Sequence, residues 1–332
     1  MSQTARSVWF TAPRALELRD EELPAPGDLD VRVEAIVSAI SHGTEMLVYR
    51  GQVPPDLELD LPTLRGSFSF PIKYGYANVG RVVECGQAVE RLKPGDIVFA
   101  LHPHQSAYVL PERLALRLPD GVPPDEGVFL ANLETAVNLV LDAAPRLGER
   151  VVVFGQGVVG LLVTQLMRRT GASLIVVVDP VAPRRELATR LGADMALEPG
   201  VPLRDLVPEG FDVAVELSGN TAALQHAVDS LAFGGTVVVA SWYGTKPVQL
   251  SLGGAFHRRR LRLVSSQVST MDGALTPRWT HARRLAVARD LLAELELEPL
   301  ITHRLPLERA GEAYRLVDQR PEDTVQVVLT YD

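Results

Sequence analysis

Three glycines followed by an aspartate form the pattern in this sequence that is most specific for chemistry. Gly155, Gly157 and Gly160 fit G-x-G-x-x-G, and Asp179 follows about 20 residues later. The first glycine permits a tight turn, the second lets the backbone approach a pyrophosphate, and the third allows a helix to pack closely on a strand. An aspartate in this position accepts the hydroxyls of an adenine ribose. The pattern therefore predicts a site for a nicotinamide dinucleotide.

The residues around this pattern supply the elements that such a site requires. Val151–Gly155 reads as a short buried strand, the apolar positions from Val158 onward recur at helical spacing, and Leu174–Val178 reads as a second buried strand. In this context the helix N-terminus presents free N–H groups to the phosphates. Asp179 favours NAD(H) over NADP(H) because its carboxylate would repel a 2′-phosphate, and only Arg184 lies near enough in sequence to soften that preference. A parallel sheet without a ligand is the alternative.

Further cofactor contacts are predicted where later strands end, because ligands of such sheets bind at the carboxyl ends of the strands. Ser218 and Gly219 end one strand, and Ser241 and Trp242 end another. Trp242 has either a pocket-lining or a packing role. Together with the glycine turn, these positions give the predicted contacts Gly155, Gln156, Gly157, Val158, Val159, Gly160, Asp179, Arg184, Ser218, Gly219, Ser241 and Trp242.

Composition limits the class of protein. A chain of 332 residues with 46% apolar and 22% charged residues is typical of a globular protein with about two domains. The formal net charge of −8 argues against a nucleic-acid partner. Cys85 is the single cysteine, which excludes an intramolecular disulfide and a zinc site built of thiolates. The first residues lack the apolar core of a signal peptide, and no run reaches the ~18 apolar residues of a membrane span. We expect a cytoplasmic enzyme with a small-molecule substrate.

The two halves of the chain differ in their pattern. Residues 1–125 contain short strands separated by proline and glycine signals, which predicts a small antiparallel barrel or sandwich. Gly51–Tyr74 has no clear periodicity, and a loop of that length in a compact domain is usually functional or a lid. Beyond Pro123–Ala144, a helix-forming segment, strands alternate with helices as in a parallel sheet covered on both faces.

The order of these segments resembles the medium-chain dehydrogenase/reductase (zinc-type alcohol dehydrogenase-like) superfamily over essentially the whole chain. The resemblance is carried by GTE, GYANVGRVVECG, LKPGDIV, LETAVNLV, VVVFGQGVVG and ITHRLPLERAGEAYRLVD. It implies an α/β protein with a GroES-like β-rich catalytic domain over 1–125, a Rossmann doubly wound parallel sheet over 126–295 and a return to the catalytic domain over 296–332. ISHGTEMLVYRGQVP and YGYANVGRVVECG are similar to the subgroup with bacteriochlorophyllide-type dehydrogenases, but the second half is less so and no substrate is carried over.

The resemblance also allows the zinc ligands of the family to be tested one by one. Its C-x-[TS]-D motif places His42 at the cysteine, Thr44 at the hydroxyl and Glu45 at the acid. The histidine ligand of its G-H-E motif is replaced by Tyr76, and a third ligand matches Glu134. Catalytic zinc needs three competent ligands and an open position, and a neutral tyrosine is a poor ligand. We therefore expect no catalytic zinc.

Without a metal, hydrogen-bond donors must polarise the substrate oxygen. The resemblance assigns proton transfer to the hydroxyl of Thr44, whose alternative is a turn residue. Tyr76 could donate to a carbonyl, or it is a core aromatic residue. His42 and His104 are candidate general acids or bases with structural roles as the alternative. Glu134 is expected to orient a neighbour.

The predicted function is an NAD(H)-dependent oxidoreductase that acts on a hydroxyl or carbonyl of a small or medium organic substrate. Reduction of an activated C=C bond and a dinucleotide-binding protein without turnover are the alternatives. The resemblance further implies that the strand near Ser266 lies beside the nicotinamide and forms the contact of a homodimer.

Overall fold

The structure is a computed structural model that describes residues 4–59, 61–244 and 246–331. The chain divides into two compact units. The first runs up to Ala131 and resumes at Leu292, and the second runs from Asn132 to Leu291. Both are made of helices and strands, and no helix within the described residues is long and apolar enough to cross a membrane.

The elements are numbered in chain order. The strands are β1 (Thr4–Ala12), β2 (Ala15–Glu22), β3 (Asp30–Ile40), β4 (Asn78–Cys85), β5 (Ile97–Ala100), β6 (Ala107–Pro111), β7 (Leu116–Arg117), β8 (Arg150–Phe154), β9 (Leu174–Val178), β10 (Met195–Leu197), β11 (Phe211–Glu216), β12 (Leu231–Val239), β13 (Arg262–Ser265), β14 (Ile301–Pro306) and β15 (Gln326–Thr330). The α-helices are α1 (Thr44–Tyr49), α2 (Pro124–Gly127), α3 (Leu130–Ala143), α4 (Val158–Arg169), α5 (Ala182–Arg190), α6 (Leu203–Leu206), α7 (Thr221–Ser230), α8 (Ala255–Arg258), α9 (His281–Leu291) and α10 (Ala310–Gln319).

The first unit is built on a sheet with the order β14-β15-β3-β4-β5-β7, to which β6 adds by pairing with β3. Its pairs are antiparallel except β14 with β15. In β3 the side chains alternate, so that Val31 and Val33 are buried while Glu34 is exposed. The aromatic rings of Phe10, Tyr49 and Tyr314 pack against one another in the core next to α1 and α10. The C-terminal segment thus completes both the sheet and the core of this unit.

The second unit contains a parallel sheet with the order β10-β9-β8-β11-β12-β13 among the described strands. The chain starts in the middle at β8, moves outward to β10, and then returns to build the other half from β11. Val151–Phe154 are at most 1% exposed, as expected for a strand covered on both faces. The order reverses between β8 and β11, and their carboxyl ends lead into Gly155 and Leu217. This reversal is where a doubly wound sheet binds ligands.

The α/β fold class with a β-rich and a parallel-sheet part is confirmed. The predicted helical segment Pro123–Ala144 is not one helix, because it breaks between α2 and α3. α2 packs on β3 and β4 in the first unit, and a Cβ at Gly127 would lie 2.3 Å from Leu118 Cδ1. The second unit runs from Asn132 to Leu291, so it is a few residues shorter at each end than the predicted Rossmann domain over 126–295.

Close packing of α4 on the end of β8 generates the first prediction. A Cβ at Gly160 would lie 2.0 Å from the carbonyl oxygen of Gly155. Gly160→Ala should therefore lower the free energy of unfolding by about 1–3 kcal/mol, because an extra methyl group is forced into a packed contact. Urea unfolding followed by circular dichroism measures this change.

Gly157→Ala is the matched control. A Cβ at Gly157 meets no described atom within 4 Å, and its φ of −73° suits any residue. Its free energy of unfolding should stay within about 0.5 kcal/mol of the native value. A Gly160→Ala variant as stable as this control would contradict the packing argument.

Candidate active site

The glycine turn after β8 packs closely against Ser218 and leaves the N-terminus of α4 uncapped by any described side chain. Gly155 has a φ of +92°, and a Cβ there would lie 2.8 Å from the backbone nitrogen of Ser218. Gly157 is the N-cap of α4, and in the described structure no side chain caps this helix end. The first N–H groups of an α-helix have no partner within the helix, so this open end is suited to an anionic group.

Asp179 holds this turn in place. Its Oδ2 accepts the backbone N–H of Gln156 at 2.6 Å, and its Oδ1 accepts the N–H of Val181 at 2.8 Å. The side chain is only 3% exposed. Because a carboxylate oxygen has two lone pairs, each oxygen keeps one for a ligand. The protein itself uses one lone pair on each oxygen. Asp179 can therefore accept at most one hydrogen bond per oxygen from the predicted ribose.

The side chain of Gln156 faces the interior, so the predicted cofactor contact of Gln156 would have to come from its backbone. This side chain is buried, its Oε1 accepts the hydroxyl of Thr164 at 3.0 Å, and its Nε2 donates to the carbonyl of Gly155 at 3.1 Å. It therefore stabilises the turn from inside and has no donor or acceptor aimed outward. Val158 and Val159 begin α4, and Arg184 lies partly buried in the first turn of α5.

Glu216, a buried acid at the end of β11, fixes the loops that follow β11 and β12. Its Oε1 accepts both the N–H and the hydroxyl of Ser218, at 2.7 and 2.5 Å, and its Oε2 accepts the phenol of Tyr243 at 2.5 Å. Burial and this carboxylate raise the pKa of Tyr243. The hydroxyl of Ser241 accepts the N–H of Gly219 at 2.9 Å. Glu216, which is not among the residues predicted from the sequence, therefore connects these two loops by hydrogen bonds.

Trp242 is 45% exposed in the same loop as Ser241. Its exposure disfavours the alternative of a core packing role. Glu216 had a weak signal in the sequence, because an acid directly after the apolar residues Val213–Val215 is unusual for a buried strand.

Glu134 and Ser266 belong to a network centred on Arg284. The Arg284 guanidinium donates to Glu134 Oε1 at 2.9 and 3.1 Å, to Asn138 Oδ1 at 2.6 Å and to the carbonyl of Val268 at 2.6 Å. Arg284 is 2% exposed, so its charge needs these partners. Sequence reasoning missed it because it lies far along the chain, in α9.

Ser266 is the other end of this network. Its hydroxyl donates to Asp142 Oδ2 at 2.5 Å and accepts from Asn138 at 3.0 Å. Burial and the nearby charge of Asp272 raise the pKa of Asp142. The Ser266 hydroxyl is therefore hydrogen-bonded within the protein, and the predicted cofactor contact of Ser266 would have to come from its backbone.

In the first unit, three hydroxyl groups meet where β3 leads into α1. Thr44 is the first residue of α1, and its side chain lies close enough to the phenol of Tyr76 to oppose part of the rise in the pKa of that phenol. The phenol of Tyr76 donates to Ser41 Oγ. Burial, as the largest cause, raises the pKa of Tyr76 to about 12, so this phenol keeps its proton at neutral pH. His42 lies partly buried in the turn between Ser41 and α1. We name Ser41, Thr44 and Tyr76 the hydroxyl trio.

His104 is not placed to exchange protons with a substrate directly. It is 0% exposed, its Nδ1 is 2.6 Å from Ser38 Oγ and its Nε2 is 2.7 Å from Glu45 Oε1. Gly75, with a φ of +140°, allows this close approach, because a Cβ there would lie 2.9 Å from the imidazole. The prediction of His104 as a general acid or base at the substrate is therefore corrected to an interior role.

The donor set does not fit a catalytic zinc ion. Of the three family ligand positions, Tyr76 is a protonated phenol that donates to Ser41, and Glu134 is paired with Arg284. Over residues 4–59, 61–244 and 246–331, no group of three or more His, Cys, Asp or Glu side chains could hold a metal ion. Only His42 keeps a side chain that suits zinc.

Comparison with known proteins decides the family. A model of zinc-binding dehydrogenases matches residues 158–286. The chain is 30% identical over 346 residues to a D-guloside 3-dehydrogenase of Escherichia coli (strain K12), covering 97% of this chain and 98% of that protein. It belongs to the zinc-type alcohol dehydrogenase-like superfamily. The prediction of an oxidoreductase of this superfamily is confirmed, whereas the bacteriochlorophyllide-type subgroup stays a prediction.

Two solved structures share the fold of this chain. A zinc-binding dehydrogenase of Sinorhizobium meliloti 1021, bound to NADP, superposes with a TM-score of 0.81 at 23% identity and covers 99% of both chains. A structure from Escherichia coli CFT073, described as a short chain alcohol dehydrogenase complexed with NADH, gives a TM-score of 0.81 at 20% identity, with 99% of this chain and 100% of that chain covered. At these identities the likeness shows the fold alone.

The Arg284 network of this dehydrogenase generates the second prediction. Arg284→Met leaves the carboxylate of Glu134 and the carbonyl oxygens of Asn138 and Val268 without their donor. The free energy of unfolding should fall by about 2–4 kcal/mol, below the largest cost of breaking a buried pair because Glu134 is partly exposed. Urea unfolding measures the loss.

Glu134→Gln is the comparison for this variant, because glutamine keeps an acceptor oxygen for Arg284 but removes the charge that balances the buried guanidinium. It should also lower the free energy of unfolding, by about 1–3 kcal/mol, and because both changes remove the same ion pair, the double variant should lose less than the sum of the two. Equal stability of Arg284→Met and the native enzyme would show that the guanidinium does not hold this network.

Proposed function

We propose that this enzyme is an NAD(H)-dependent dehydrogenase that interconverts a secondary hydroxyl and a carbonyl on a sugar or polyol without a catalytic zinc ion. The observation that carries the proposal is the open N-terminus of α4 beside the buried carboxylate of Asp179, because this pair suits a dinucleotide. We assign the cofactor contacts to 126–295 and the catalytic residues, apart from Glu134, to 1–125 with 296–332.

The glycine turn supports the cofactor proposal. The absent Cβ at Gly157 leaves space for a pyrophosphate, and the first N–H groups of α4 can donate to it. Asp179 is held by two N–H groups and keeps one lone pair on each oxygen for a ribose hydroxyl. Its charge disfavours a 2′-phosphate, which is why we propose NAD(H). When bound, the nicotinamide ring supplies the acceptor or donor of the hydride.

The hydroxyl trio supports the proposal for the proton. Thr44 lies beside Tyr76, and Tyr76 donates to Ser41, so the hydrogen of Ser41 Oγ remains for a further acceptor. In oxidation one hydroxyl of the trio takes the proton of the substrate while it releases its own proton toward His42 and water, and in reduction the protons move in the opposite direction. His42, next in the chain, is the candidate for exchange with water near neutral pH.

The substrate class follows from the relative named as a D-guloside 3-dehydrogenase. Such a substrate carries a secondary hydroxyl among other hydroxyl groups. Gly51–Tyr74 contributes Leu57, which is 45% exposed, and other apolar side chains packed on the core of the first unit. We propose that this segment shapes the substrate site. We further propose that the enzyme forms a homodimer through the edge strand β13 and that it is located in the cytoplasm.

A substrate panel with metal analysis tests the function. The purified enzyme is assayed with sugars and polyols and NAD⁺, and with quinones and enones and NADH, while its zinc content is measured by mass spectrometry. We expect NADH formation with a sugar or polyol at far less than one zinc per chain. Stoichiometric zinc would overturn the mechanism, and activity confined to enones or quinones would overturn the reaction.

Asp179→Asn tests the cofactor proposal. Asparagine keeps one acceptor for the turn but removes the charge, so the preference of kcat/KM for NAD⁺ over NADP⁺ should fall by about tenfold or more. Steady-state kinetics with both cofactors measure it. Asp212→Asn is the control, because Asp212 also accepts a backbone N–H, from Arg150 at 2.8 Å, but at the opposite end of the sheet. An unchanged preference in Asp179→Asn would show that the ribose lies elsewhere.

Tyr76→Phe tests the hydroxyl trio. Loss of the phenol should lower kcat by about 10²-fold, the lower end for acid–base groups, with little change in the KM for NAD⁺. Because the pKa of Tyr76 is about 12, the native rate should show no loss from its ionisation between pH 6 and about pH 11. Tyr49→Phe is the control, since that buried phenol donates only to the carbonyl of Arg14. Native turnover in Tyr76→Phe would remove the phenol from proton transfer.

A further inference from the structure

A line of buried polar groups connects three separate parts of the first unit. Tyr331 OH is 2.7 Å from Ser38 Oγ, Ser38 Oγ is 2.6 Å from His104 Nδ1, and His104 Nε2 is 2.7 Å from Glu45 Oε1. Tyr314 OH donates to the same carboxylate oxygen. Ser38, Glu45, His104 and Tyr314 are all 0% exposed. Groups so deeply buried must satisfy one another, which fixes their geometry.

The distances allow one consistent set of donors along the line. Ser38 Oγ lies within hydrogen-bonding distance of both Tyr331 OH and His104 Nδ1. With the phenol of Tyr331 donating to Ser38, Ser38 donates to Nδ1, and the imidazole carries its hydrogen on Nε2 and donates to Glu45. This Nε2–H tautomer is part of our inference.

Glu45 connects this line of buried polar groups to the hydroxyl trio. Its Oε2 accepts the backbone N–H of Ser41 at 3.0 Å, and Ser41 in turn accepts the phenol of Tyr76. Glu45 is also the next residue after Thr44 in α1. One carboxylate thus holds the backbone of Ser41 and the helix that begins with Thr44.

We propose that His104 and Tyr314 are positioning residues that act through Glu45 to hold the hydroxyl trio in its reactive arrangement. The inference rests on the proposed function and deepens it, because it makes α10 and the loop before β6 part of the proton-transfer site. Neither residue reaches the substrate, since both are fully buried. Small displacements of reacting groups are costly in enzymes, so loss of either residue should appear mainly in kcat.

Kinetics of three variants test the proposal. Glu45→Gln, His104→Gln and Tyr314→Phe should each lower kcat by about ten- to hundredfold, while the KM and dissociation constant for NAD⁺ stay within about twofold. His102→Gln and Tyr49→Phe are matched controls. His102 is a buried imidazole of the same loop that contacts the carbonyl of Pro103, and Tyr49 packs on Tyr314 with its centroid 5.2 Å away. Native kcat in the three variants, or an equal loss in the controls, would overturn the proposal.

A double-mutant cycle shows whether the effect passes through Ser41. In a Ser41→Ala background the trio has already lost its terminal hydroxyl, so His104→Gln should lower kcat by less than about threefold more. Multiplicative losses in the double variant would contradict the route through Glu45. Melting temperatures of every variant are measured, and kinetics are compared well below the lowest of them.

A readout independent of turnover separates this inference from the proposed function. Nitrogen-15 NMR of histidine-labelled enzyme should show His104, assigned by loss of its signal in His104→Gln, as the neutral Nε2–H tautomer. Tyr331→Phe should shift this signal, whereas Tyr49→Phe should not. An Nδ1–H tautomer or an imidazolium would overturn the inference whatever the substrate, while the expected tautomer in an enzyme inactive on sugars and polyols would leave only the proposed function at fault.

Discussion

The first unit is organised by the need to satisfy one buried carboxylate. A polar side chain removed from water is costly unless hydrogen-bond partners replace its hydration. Glu45 obtains such donors from the end of β3, from the loop before β6 and from α10, which are far apart in sequence. These segments must therefore meet in one arrangement. The arrangement that satisfies Glu45 also fixes the turn that carries Ser41 and leads into Thr44.

The second unit uses buried carboxylates in the same way at the ends of its parallel strands. Asp179 fixes the turn after β8 by accepting backbone N–H groups, and Glu216 fixes the loops after β11 and β12 through Ser218 and Tyr243. Loops at strand ends are usually the most mobile parts of such a fold. Here internal acceptors hold them before any ligand binds, which reduces the ordering cost of binding.

Local patterns in the sequence were sufficient for the fold class and for the glycine turn, because both depend on neighbouring residues. The roles of side chains were less predictable. Gln156 lies within the motif but points inward, and His104, a candidate general acid or base in the sequence, is fully buried. Arg284 contacts Glu134 across 150 positions, which no periodicity reveals. Long-range polar pairing therefore accounts for the errors, since it depends on tertiary packing.

In the proposed zinc-free site, neutral hydrogen bonds must perform the polarisation that a Lewis acid performs elsewhere. A phenol with a pKa of about 12 can donate a hydrogen bond but provides no positive charge. Such a site suits a carbonyl that needs little activation. A keto group flanked by carbons that bear hydroxyl groups is more electrophilic than a simple ketone, because those oxygens withdraw electrons. The replacement of a metal ligand by Tyr76 and a sugar or polyol substrate are therefore chemically consistent with each other.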